Sequence, residues 1–135
     1  MKKRIPHSIG KRYFQIYDGI FARRVHVLLN YTPQDYEKWL NTKKIKDVGI
    51  KNFNDFAGWS TEIESSDGQT ELIIFVSHFN WAIKCQGTLI HEITHTVVKL
   101  FNHNNIPFNS DTQEFFAHLI SRMYEDIAHK LLQKI

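Results

Sequence analysis

The pentapeptide His91-Glu92-Ile93-Thr94-His95 constrains this chain more than any other five residues. It sits in a segment whose apolar residues, Leu89, Ile90, Ile93, Val97, Leu100 and Phe101, recur at helical spacing. On a helix, positions i and i+4 lie one above the other on the same face. His91 and His95 can therefore present two imidazoles to one metal ion. Glu92 flanks that point, where the general base for a metal-bound water would sit. The preceding run Leu72-Ile73-Ile74-Phe75-Val76 is rich in β-branched and aromatic residues and reads as a buried strand. A strand followed by a helix carrying this motif is the context that a zinc hydrolase requires. The competing reading is two surface histidines on an ordinary helix.

Two histidines need a third protein ligand, with the fourth position left to water. The extended pattern with Gly and a third His fails, because Val98 and Phe101 occupy those two positions. The better candidate is Glu114, near the start of a second helical pattern that runs from Asp111 to about Lys134. The intervening residues 102–109 are a loop of the right length to turn the chain back. Two capping boxes compete at that helix start. Asp111-Thr112-Gln113-Glu114 would use Glu114 to bond its own helix terminus, whereas Ser110-Asp111-Thr112-Gln113 would leave it free. Asp111, His103 and His118 are the other candidates for the third position.

His91-Glu92-x-x-His95 followed by Glu114-Phe115-Phe116-Ala117 resembles the zincin metallopeptidases of the glutamate-ligand (gluzincin) type. In its short form the chain is similar to the zincin-like proteins encoded by bacteriophages. It is more distantly similar to the ImmA/IrrE-type peptidases of mobile elements. The resemblance covers residues 70–134. It implies an α+β fold, a minimal zincin-like domain in which a small, mostly antiparallel sheet packs on the active-site helix and a C-terminal helix. It implies Zn2+ held by His91, His95 and Glu114, with Glu92 as general base, and a peptide or protein substrate. In zincins the edge strand before the active-site helix pairs with extended substrate, and residues 70–78 would hold that place. Such strand addition reads the peptide backbone and is only loosely sequence-selective. A counterpart of the separate C-terminal domain of large gluzincins is not seen. The oxyanion of the reaction needs a donor besides the metal. His118, one turn after Glu114, and His78, at the end of the strand, are candidates, with an ordinary polar residue as the alternative for each.

Elsewhere the pattern gives a strand over residues 23–31, where Val25, Val27 and Leu29 share one side. Thr32 suits a helix N-cap and Pro33 its first position, and that helix runs to about Lys44. Residues 45–55 read as a loop or short turn. Residues 56–64 and 70–78 read as strands joined by a turn containing Asp67-Gly68. The active-site helix starts between Trp81 and His91, with Gly87 favouring the later limit. The order strand, helix, hairpin, helix, helix fits a two-layer α+β domain. The domain is expected over residues 23–135, with residues 1–22 as a basic, aromatic N-terminal extension.

That extension dominates the charge distribution. Residues 1–24 carry seven basic side chains against Asp18 alone, so they hold +6 and the remainder −3 of the net +3. Tyr13, Phe14, Tyr17 and Phe21 are interleaved with them. Three readings follow: solvated charges on a partly ordered tail, docking to a larger assembly, and binding of single-stranded nucleic acid, the last being the least favoured. Cys85 is alone, which excludes an intrachain disulfide. No apolar run reaches membrane-spanning length, and no apolar segment follows Lys2-Lys3-Arg4 as a signal peptide demands. The expected location is the cytoplasm, that of the host, or the virion for a phage-encoded chain. Two functions of different classes remain: a zinc metallopeptidase, and a structural or assembly component, for instance of a phage particle, that retains a zincin fold.

Overall fold

The computed structural model describes residues 9–43, 57–65 and 68–133. The sequence stretch 45–55 lies outside the described residues. Four strands and three helices follow in the order β1 (Arg12–Asp18), β2 (Arg23–Leu29), α1 (Pro33–Thr42), β3 (Gly58–Glu64), β4 (Thr70–Val76), α2 (Ile83–His103) and α3 (Gln113–Leu132). The strands form one mixed sheet in the order β1-β2-β4-β3. β1 pairs antiparallel with β2 and β3 antiparallel with β4, while β2 and β4 run parallel. The fold is α+β, as the sequence pattern indicates.

Both faces of the sheet are covered. Val25, Val27, Leu29, Leu72, Ile74 and Val76 pack against α2 and α3 through Leu89, Ile93, Val97, Leu100, Leu119, Met123 and Ile127. On the opposite face Leu28, Ile73, Phe75, Trp59 and Ile63 pack against Tyr36, Trp39 and Leu40 of α1. The two-layer expectation is thus replaced by three layers. A sheet buried on both faces needs apolar side chains at successive positions, which is why β4 reads as an unbroken run through Leu72 to Val76. α1 itself starts on a capping box: Thr32 Oγ1 accepts from Asp35 N (3.0 Å) and Asp35 Oδ2 accepts from Thr32 N (3.2 Å).

Residues 1–22 are not wholly an extension outside the domain. β1 falls inside them, with Arg12 opposite Leu29 and Asp18 opposite Arg23. Its Phe14 and Ile16 point to the α2–α3 side, and the flanking Lys11 and Arg12 obscure that alternation in the sequence. Asn30 locks this end of the sheet. It sits in the left-handed region at φ 63°. Its Nδ2 donates to the carbonyls of Ile9 (2.7 Å) and Phe79 (3.1 Å), and its Oδ1 accepts from Phe79 N (2.7 Å).

Residues 70–78 do not form an edge strand. β4 lies between β2 and β3, and the edge beside α2 is β3. The parallel β2–β4 pairing spans residues far apart in sequence, which no local pattern announces.

Beneath α1 the sheet buries a polar chain. His26 is 4% exposed. Its Nδ1 lies 2.8 Å from Tyr13 Oη and its Nε2 2.5 Å from Glu71 Oε1, while Gln15 Nε2 donates to Tyr13 Oη at 2.9 Å. Trp39 packs edge-on to the imidazole. A neutral ring satisfies every partner: Nε2–H donates to Glu71 and Nδ1 accepts from Tyr13. Burial pushes the His26 pKa below its ordinary value of 6.5, against the opposing pull of Glu71. The unfolded chain therefore binds more protons than the folded one between the folded pKa and about 6.5. Stability is expected to be full above that window and to decline as pH falls through it. Urea unfolding at a series of pH values checks this, and His26→Gln should flatten the decline.

Candidate metal centre

α2 sets the site by the way its apolar row docks. Leu89, Ile93, Val97 and Leu100 are buried against the sheet. That fixes the rotation of the helix and leaves His91 and His95 exposed. The two Nε2 atoms lie 3.0 Å apart, with ring centroids 4.6 Å apart and planes at 78°. Two imidazole nitrogens on one tetrahedral ion, each at about 2.05 Å, would be about 3.3 Å apart. At 3.0 Å the two nitrogens are in hydrogen-bond contact, one ring donating to the other, and a small opening of the pair reaches the metal-bound spacing. Burial lowers the His95 pKa, and the charges of His91 and Lys99 lower it further, which favours the neutral ring that binds metal.

Glu92 turns the other way, toward β3. It is 6% exposed, and among the described residues its carboxylate makes no hydrogen bond or ion pair. Burial pushes its pKa above the ordinary carboxylate range, with the charges of His91 and Lys99 pulling it back. Gly58 makes room for it. A Cβ at that position would lie 2.9 Å from both Glu92 Cγ and Oε2, and 3.1 Å from Thr88 Cγ2. An open cleft beside the pair is lined by Ala57, Gly58, Lys84, Gly87, Thr88, His91 and Glu92.

A polar seam continues between β3 and α2. Ser60 Oγ lies 2.9 Å from Thr96 Oγ1, which donates to the Glu92 carbonyl at 2.9 Å. Lys99 Nζ lies 3.5 Å from Ser60 Oγ, and burial lowers its pKa. Glu62 pairs with His103 at 2.5 Å. The sequence carried a signal for this seam that motif reading misses. Gly58, Ser60, Glu62 and Glu64 alternate with Trp59, Thr61 and Ile63 along β3, so one face of the strand is polar or small.

The remaining sequence candidates are not gathered here. Among the described residues no three His, Cys, Asp or Glu side chains converge as a metal-binding group. Glu114 is exposed in the first turn of α3 and His118 is exposed one turn later. The physical reason is the rotation of α3. Phe115 and Phe116 turn inward onto Phe101, and Leu119 and Met123 continue that face into the core. Glu114 and His118 therefore lie off that buried row. Neither capping box forms. Asn109 Oδ1 instead accepts from the backbones of Asp111 (2.9 Å) and Thr112 (3.2 Å), which leaves Glu114 uninvolved in capping. Asp111 and His78 are exposed, and His103 is committed to Glu62. The motif helix starts at Ile83, near the early end of its expected range of Trp81 to His91, and carries Gly87 inside it.

No protein-family model matches the chain, and no curated protein or solved structure shows significant similarity to it. No helix among the described residues is long and apolar enough to cross a membrane.

Gly58→Ala is expected to push the Glu92 carboxylate out toward water. Its pKa should then drop toward the ordinary carboxylate value, read by carbon-detected NMR titration of the Glu92 side chain. An unchanged titration would mean that Gly58 does not shape the pocket.

Proposed function

We propose that this chain is a metal-dependent hydrolase, a zinc metallopeptidase in which His91 and His95 hold the ion and Glu92 is the general base. One observation carries the reading: a largely buried carboxylate stands beside two imidazoles in contact and lines an open cleft. A carboxylate whose pKa is raised by burial and that lines a cleft is a candidate for proton transfer.

When bound, a zinc ion supplies Lewis acidity and a water that ionises near pH 7. The chain's own residues do the rest. The burial that raises the pKa of Glu92 makes its carboxylate able to accept a proton and to release it to a leaving amine. Gly58 and the apolar row of α2 hold that carboxylate in place. The third ligand is assigned to Glu114 by its resemblance to the gluzincin pattern, and filling that role requires its side chain to reach the pair.

A second reading rests on a specific observation. No described carboxylate or imidazole completes the pair. That favours a structural or assembly component keeping a zincin-like helix without activity.

Metal content of the purified chain separates the two readings. We expect about one zinc per chain in the wild type and in Glu92→Gln, and none in His95→Ala, with peptide hydrolysis only in the wild type. Loss of zinc in Glu114→Ala would give the third ligand. A wild type that holds no metal after dialysis against zinc contradicts the hydrolase reading.

A further inference from the structure

The cleft extends away from the histidine pair toward the start of α2, and Lys84 stands at that end. Lys84 is exposed and, among the described residues, has no ion pair. The other cation near the site, Lys99, is half-buried, is turned into the seam with Ser60 and faces the charges of Glu62 and Glu92. The cleft wall between Lys84 and His91 carries Gly87, where an added Cβ would meet nothing within 4 Å. A chain lying in the cleft can therefore approach the helix closely there.

We propose that Lys84 reads a carboxylate on the peptide that this cleft binds, two or three residues from the bond that faces Glu92. The proposal rests on the hydrolase reading for the bond, and on the cleft alone for the binding. Seven residues of helix separate Lys84 from His91, a rise of about 10.5 Å at 1.5 Å per residue. An extended peptide covers that length with about three residues at 3.3–3.6 Å each. Glu92, the one acid among the described residues lining the cleft, is the next residue along the helix after His91 and is buried. Its distance from Lys84 along the axis is about 12 Å. A ligand carboxylate in contact with Lys84 is therefore attracted by the lysine more strongly than it is repelled by Glu92, because the interaction falls with distance. The carboxylate has two sources, an Asp or Glu side chain or the free C-terminus of the peptide, and both offer lysine the same partner.

The test uses fluorescein-labelled hexapeptides in twin pairs. One pair differs by Glu against Gln at a single position, the other by a free against an amidated C-terminus. Fluorescence anisotropy is followed with the full-length wild type, Lys84→Gln and Lys84→Glu, with circular dichroism as the check on folding. The wild type is expected to bind at least one acidic peptide about five- to tenfold more tightly than its neutral twin, a preference weakened by salt. Lys84→Gln should abolish the preference and Lys84→Glu reverse it. The pair that shows the preference identifies the source of the carboxylate. Equal affinity within both pairs, no binding of any peptide, or a preference that survives in Lys84→Glu overturns the proposal. Cleavage of the same peptides is read separately. A carboxylate preference without hydrolysis would leave the Lys84 subsite standing and remove the peptidase.

Discussion

The burial of one row of side chains on α2 governs everything else in this molecule. Leu89, Ile93, Val97 and Leu100 are each no more than 1% exposed, and a helix pinned along four such positions has a single rotational setting. Burial of aliphatic side chains of this size is worth about 1.5–3 kcal/mol each, so turning the helix by even one position would forfeit several kcal/mol. That setting places His91 and His95 at the surface and Glu92 against β3. The chemistry of the site is therefore a consequence of core packing. The histidines converge because the residues on the opposite side of their helix are apolar and the sheet beneath them is covered.

The second consequence is the seam between α2 and β3. An edge strand packed on a helix usually buries apolar residues, yet here the contacts are Gly58 against Glu92, Ser60 against Thr96, and Glu62 against His103. The opposite face of the same strand buries Trp59 and Ile63 under the α1 side of the sheet. The strand thus holds its place through one apolar face and frees the other for polar work. Lys99 sits in the middle of that work, half-buried and with its pKa lowered by burial, close enough to add positive potential at Glu92. Together with the charge of His91, this local field opposes the effect of burial on Glu92.

Much of this was legible in the residues, for identifiable reasons. The alternation of Val25, Val27 and Leu29 is local, and so is the Thr32-Pro33 helix start; local patterns survive into the fold. The i, i+4 spacing of His91 and His95 is also local, and the structure brings their Nε2 atoms to 3.0 Å. What could not be read was long-range. β1 is recognisable as a strand only once β2 is beside it. The central place of β4 depends on parallel pairing with β2 across α1 and β3. The side to which Glu114 points depends on Phe115 and Phe116 finding Phe101, a contact between two helices that no spacing along one of them encodes. The polar chain from Gln15 through Tyr13 and His26 to Glu71 is assembled from three strands and is invisible for the same reason.

The central claim is that two imidazoles and a buried carboxylate on α2 form one metal-dependent site. A crystal grown with zinc and measured on both sides of the zinc absorption edge tests it most directly. The account predicts a single strong anomalous peak about 2.0–2.1 Å from the Nε2 atoms of both His91 and His95, on the cleft side of α2, together with density for whatever completes the shell. No peak at the pair, or a peak at His26 or at the His103–Glu62 contact instead, would contradict it.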